Sequence, residues 1–145
     1  MMVDLQRNCY ARVIGRSRGR IRVLLADDHR IVRQGLINFL RSESDFEVVG
    51  EAENGIQAID VARQCSPEVV IMDVNMPAMD GIEATRILTK EMPQVKVIAL
   101  SMHLEKDVVS GIREAGAVAY LAKGGSVEEL VETIRACYLR PPRDV

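Results

Sequence analysis

The chain has 145 residues, enough for one compact domain with a sizeable core and too few for two of ordinary size. Hydrophobic residues make up 48%, charged residues 28% and aromatics only 3% with no Trp, and the net charge is -2, so a globular core must be built from Val, Ile, Leu, Ala and Met. No stretch approaches the roughly 18 apolar residues of a membrane span, no signal peptide opens the chain, and Cys9, Cys65 and Cys137 fit no disulfide framework, so a soluble cytoplasmic protein with reduced thiols is expected.

In chain order, residues 1–20 come first, with five Arg against one Asp. Basic tails touch nucleic acid or acidic surfaces in some proteins, but a solvated, disordered leader is the simpler expectation. From Ile21 the pattern becomes regular. Short apolar runs recur at 23–26, 48–49, 69–72, 97–100 and 117–121. Three are nearly continuous, as in strands covered on both faces of a parallel sheet.

Amphipathic segments of helical length lie between and after these runs. Ile31, Leu36, Phe39 and Leu40 are expected to share a buried face in the first, and Ile56, Ile59 and Ala62 in the second. Ile82, Thr85, Ile87 and Leu88 suggest the third; Val108, Ile112 and Ala115 the fourth; Leu130, Val131, Ile134 and Cys137 the fifth. Ser126 and Glu129 form a capping-box pair at the start of the last, and Pro141-Pro142 stops it. The result is β-α repeated five times. Right-handed crossovers then give an α/β, doubly wound, five-stranded parallel sheet, and the flavodoxin-like (βα)5 order 2-1-3-4-5 sets the first and third strands side by side.

The strand ends carry the chemistry. The first strand stops at Asp27-Asp28, the third at Asp73, the fourth at Ser101 and the fifth near Lys123. In a parallel sheet these ends share one edge, and Asp27, Asp28 and Asp73 converge at the switch point. Three carboxylates need a cation among them. Oxygen donors suit Mg²⁺ or Mn²⁺, whereas Zn²⁺ favours His or Cys, and only His29 lies nearby. Lys123 and Ser101 add an ammonium and a hydroxyl that suit a phosphoryl group. Together they describe phosphoryl transfer onto an Asp. Taken singly, each has an ordinary explanation: Asp and Ser cap helices, Lys is a solvated charge, and Asn75-Met76-Pro77 and Asp80-Gly81 are turns.

The segment VVIMDVNMPAMDG (69–81) resembles the phosphorylation motif of response-regulator receiver domains. LLADDHRIVRQGL (24–36), with its placement of His29 and Arg33, ALSMH (99–103) and AYLAKGGSVEELVETIR (119–135) resemble the NarL/FixJ (LuxR-type) subfamily. The resemblance covers about residues 21–139, taken as the receiver domain, with 140–145 as the start of a linker. It implies that Asp73 is the phosphoacceptor, served by a partner sensor histidine kinase. It implies Asp28, Asp73 and the Asn75 carbonyl as direct metal ligands, with Asp27 reaching the metal through water. Ser101 and Tyr120 become switch residues and Lys123 the phosphate-pairing lysine.

In such domains phosphorylation often governs homodimerisation, and the subfamily continues into a DNA-binding helix-turn-helix that is not present in this chain. The expectation is a receiver from a longer transcription regulator, with a stand-alone receiver as the alternative. Gly124 stands where many receivers have a cis proline, so a cis bond is not expected. Met102, after the switch Ser, is expected to narrow access to Asp73. Three other readings fall short. A haloacid dehalogenase-type phosphatase has a second Asp two residues after the nucleophile, where this chain has Asn75. A P-loop needs glycines before its lysine, whereas Gly124 and Gly125 follow Lys123. Flavin binding rests on fold analogy alone.

Overall fold

The computed structural model describes residues 19–139, and the expectations for a disordered tail up to residue 18 and a linker from 140 lie outside the described residues. Five strands and five helices alternate: β1 (Ile21–Ala26), α1 (Arg30–Ser42), β2 (Phe46–Ala52), α2 (Gly55–Cys65), β3 (Val69–Asp73), α3 (Gly81–Glu91), β4 (Lys96–Ser101), α4 (Lys106–Ala115), β5 (Ala119–Ala122) and α5 (Val127–Leu139). All strand pairs are parallel, in the order β2-β1-β3-β4-β5.

The continuous apolar runs are explained by burial on both faces. Every residue of β1 and β3 is buried. Alternate side chains feed different layers: Leu24, Val70, Met72 and Val97 pack under α2 and α3. Val23, Leu25, Ile71 and Ile98 pack under α1 and α5. Each such aliphatic side chain contributes about 1.5–3 kcal/mol when fully buried. A smaller cluster of Val74, Ala99, Ile112 and Ala117 seats α4, with Tyr120 against it.

The helix faces differ from the sequence reading in places. In α1, Ile37 and Leu40 are buried, whereas Ile31 is 88% exposed. Ile31 sits in the first turn, and the buried positions Arg33, Ile37 and Leu40 all lie further along the helix. Ile56, in the first turn of α2, is likewise 49% exposed. The Ser126 cap is present, its Oγ accepting from the Glu129 N–H at 3.2 Å. Cys65 is disulfide-bonded, which corrects the expectation of three reduced thiols, and Cys137 is buried. No peptide bond among the described residues is cis, and Gly124 has φ +84°, a conformation that glycine adopts without strain.

The loop after β3 is held tightly. The Val74 N–H donates to the Leu100 carbonyl at 2.9 Å and the Gly81 N–H to the Val74 carbonyl at 2.8 Å. A Cβ at Gly81 would lie 2.0 Å from the Asp73 carbonyl oxygen, so only glycine lets α3 start this close to the end of β3. Gly35, midway along α1, has open space around it. Gly81→Ala is therefore expected to destabilise the domain by about 2–4 kcal/mol through overpacking against backbone. Gly35→Ala is expected to be stabilising by about 0.5–1 kcal/mol from helix propensity. Urea unfolding of the two variants checks both; equal effects would refute this account of Gly81.

Candidate functional site

The carboxyl edge of the sheet gathers charged side chains from three strand ends. Asp27 follows β1 and Asp73 ends β3; each side chain is 2% exposed. Asp28 and His29 lie at the rim. Ligand atoms of Asp27, Asp28, His29 and Asp73 fall within 4.8 Å of one another. Lys123, one residue past β5, reaches in from the far side. Its Nζ donates to Asp73 Oδ2 at 2.7 Å and to Asp27 Oδ1 at 3.1 Å, and lies 2.8 Å from His29 Nδ1.

Two buried carboxylates share that one ammonium. Burial pushes the Asp73 carboxyl up to about 6; the Lys123 hydrogen bond works against this and the Asp27 charge adds to it. For Lys123, burial acts to lower the pKa, but hydrogen bonds to Asp73 and Asp27 prevail and hold it above its ordinary value. Asp27 Oδ2 is buried with no hydrogen-bond partner. An orphaned carboxylate oxygen among three aspartates is the environment a hard divalent cation satisfies, so the donor set fits an ion held by oxygen ligands.

The other expected residues are placed as follows. Asn75 is exposed in the loop after β3, and its N–H donates to Asp73 Oδ1 at 3.3 Å. Ser101 ends β4, buried, with its hydroxyl donating to the His103 carbonyl at 2.7 Å and accepting from the His103 N–H at 3.1 Å. Tyr120 lies half-buried in β5; its hydroxyl accepts from Arg113 of α4 at 3.1 Å, and that guanidinium sits 5.3 Å from the ring centroid. The cluster thus unites Asp27, Asp28, Asp73 and Lys123, while the Ser101 hydroxyl is turned to its own loop and Tyr120 to α4. Met102 is 66% exposed.

Arg33 is a positioning residue that sequence reasoning noted only within a resemblance. It is 7% exposed, donates to the Asp27 carbonyl at 2.6 Å and to Glu51 Oε1 at 2.7 Å. It thereby fixes the backbone that carries Asp27. The available signal was an arginine on the inward side of α1, which in sequence reads as a solvated charge.

An acid-edged, doubly wound α/β domain with a lysine bridging two buried aspartates defines a class of phosphate-handling switch folds. The sequence matches the response regulator receiver domain over residues 23–135, and the chain belongs to that family. It is 43% identical to the transcriptional regulatory protein LiaR of Bacillus subtilis over 123 residues, which is 85% of this chain and 58% of LiaR. Among solved structures it resembles a LuxR-family response regulator from Aurantimonas, with TM-score 0.78, 33% identity and coverage of 82% of this chain and 85% of that one. It also resembles the receiver domain of the putative regulator NarL from Mycobacterium tuberculosis, with TM-score 0.78, 29% identity and coverage of 82% and 96%. These relatives place it with the NarL/LuxR-type receivers. The chain spans a little over half the length of LiaR.

A carboxyl whose pKa is raised from 3.8 to about 6 on folding contributes stability that is fully present below pH 4 and lost as the pH rises through 6. Without divalent metal, Asp73→Asn is therefore expected to exceed wild type in stability at pH 8, by up to about 3 kcal/mol. The gap should close below pH 4. Urea unfolding in EDTA at several pH values measures it, and a pH-independent gap would contradict the burial argument.

Proposed function

We propose that Asp73 accepts a phosphoryl group from a partner sensor histidine kinase. The observation that supports this most is the bridge from Lys123 to Asp73 at 2.7 Å, within a pocket where burial holds the Asp73 carboxyl up at about 6. In the reaction one Asp73 oxygen attacks phosphorus. The bond from phosphorus to the donor, an imidazole nitrogen of the kinase or an oxygen of a small acyl phosphate, breaks in line, and its electron pair leaves with the donor. Lys123 is already aimed at Asp73 and stabilises negative charge on the transferred group.

Asp27, Asp28, Asp73 and the Asn75 carbonyl would hold Mg²⁺ (or Mn²⁺). The ion supplies neutralisation of the charge crowded between carboxylates and phosphoryl oxygens. The chain acts as a phosphoacceptor that assists its own phosphorylation and slow dephosphorylation, not as an enzyme acting on separate substrates. As in other charge-changing switches, the phosphoryl group biases an existing equilibrium. Ser101 turns from His103 toward the new oxygens, and Tyr120 moves off Arg113 into the space beside it. The face formed by α4 and β5 changes shape, which would set dimerisation and, through a DNA-binding helix-turn-helix of the whole regulator, transcription. A cytoplasmic location accords with this role, and no described helix is long and apolar enough to cross a membrane.

Incubation with acetyl phosphate or phosphoramidate and Mg²⁺, followed by intact mass, tests the reading. Wild type is expected to gain one phosphoryl group, and Asp73→Asn or an excess of chelator to abolish it. Lys123→Ala is expected to slow the gain by about 100-fold or more, the usual effect of removing a preorganised charge-stabilising donor. No gain with any donor would overturn the proposal.

A further inference from the structure

The outer face of α1 carries apolar surface that nothing among the described residues covers. Ile31 is 88% exposed and Val32 41% exposed, although side chains of this kind are ordinarily buried. Beside them runs a groove of about 350 Å³ between α1 and the chain that leads from β5 into α5. Ile31, Val32 and Leu36 stand on one side of it, and Val127 and Leu130 on the other. One exposed isoleucine needs no explanation, but an apolar stripe continuous with an apolar groove marks an interaction site.

Gly35 adds an independent observation. It stands one turn on from Ile31, in mid-helix, where glycine costs the helix stability relative to alanine. Nothing in the fold requires it there, since a Cβ would meet no neighbour from elsewhere in the fold within 4 Å. A bare backbone on an exposed face instead permits the close approach of a second backbone from outside.

Charge indicates whose backbone that is. α1 contains three arginines and no acidic residue, whereas α5 opens with Glu128 and Glu129, both exposed. Helical spacing puts Ile31 and Gly35 on the outward crest of α1 and Arg30 on the flank turned away from the groove, while Glu129 lines the groove. Both helices begin at the carboxyl edge of the sheet, so Arg30 lies level with the first turn of α5. A two-fold axis along the crest of α1 lays that helix against its own copy at Gly35. The same operation brings the acidic start of the other copy's α5 onto the Arg30 flank, and does so twice. An unrelated partner would need one surface acidic toward α1 and another basic toward α5, whereas a second copy supplies both.

We propose that the α1 crest, centred on Ile31 and Gly35, is a self-association surface at which two copies of this chain pair α1 to α1, with position 30 of each facing position 129 of the other. The surface is separate from the face formed by α4 and β5. The contact therefore forms without phosphorylation and does not rest on Asp73 accepting a phosphoryl group.

The test is sedimentation velocity of the full, unphosphorylated chain over a concentration series up to about 1 mM, where even weak specific contacts are populated. A reversible dimer that salt weakens is expected. Ile31→Glu and Gly35→Gln should each raise its dissociation constant at least about tenfold, the loss typical of a contact at the centre of an interface. Gly35→Gln improves the helix, so its urea midpoint should not fall, which separates lost association from lost folding. Arg30→Glu and Glu129→Arg should each weaken the dimer alone. An equimolar mixture of those two variants should recover it, because both contacts between positions 30 and 129 then join opposite charges. A chain that stays monomeric throughout overturns the proposal and leaves the groove to a different protein. A dimer indifferent to Ile31→Glu and Gly35→Gln, or one that the mixture fails to restore, overturns it as well, since another face would then hold the copies together.

Discussion

The structure depends on a crowding of like charge. Asp27 and Asp73 are both removed from water at the carboxyl edge of the sheet, with Asp28 at the rim, and one ammonium from Lys123 spans the two buried groups. Two carboxylates sharing a low-dielectric site repel each other by several kcal/mol in the absence of a counter-charge. A domain selected for stability alone would avoid this arrangement. Here the aliphatic layers on both sheet faces offset it, and the excess negative charge is what a divalent cation at this edge would neutralise.

Position follows from topology. Lys123 and Asp27 are 96 residues apart, and Lys123 and Asp73 are 50 apart, so no local turn can bring them together. The strand order β2-β1-β3-β4-β5 does it, by laying the ends of β1 and β3 side by side with β4 and β5 beyond them. Precision comes from smaller devices. Arg33 holds the Asp27 carbonyl, Gly81 lets α3 begin against the Asp73 carbonyl, and the Val74 N–H ties the loop to β4. The mobile parts of the proposed switch are held by weaker links. Ser101 is bound to its own loop by two hydrogen bonds, and Tyr120 to α4 by one hydrogen bond and a cation–π contact at a half-exposed edge.

Much of this was legible in the sequence, for definite reasons. Strands buried on both faces read as unbroken aliphatic runs, and the acidic and hydroxyl residues stood at their ends, so the doubly wound parallel sheet followed from connection rules, while its order was taken from the flavodoxin-like pattern. Helix faces were less legible where periodicity continued past the covered part of the helix, as at Ile31 and Ile56, and Ile37 was passed over although it is buried. Arg33 and the double bridge of Lys123 were not legible, because each depends on side-chain reach across elements distant in sequence. His29 stood out as a lone nitrogen donor among oxygen donors, but only coordinates show its Nδ1 against Asp27, Asp28 and Lys123. The disulfide at Cys65 was likewise invisible to an odd cysteine count.

The central claim is that the buried carboxylate of Asp73, and neither of its neighbours, becomes the acyl phosphate. Borohydride reduction tests this most directly, since it converts an acyl phosphate, and no ordinary carboxylate, to an alcohol that survives digestion. The protein would be phosphorylated with acetyl phosphate and Mg²⁺, reduced, cleaved and sequenced by mass spectrometry. The account expects the reduced residue at position 73 alone. Reduction at Asp27 or Asp28, or none in a sample shown by intact mass to carry phosphate, would contradict it.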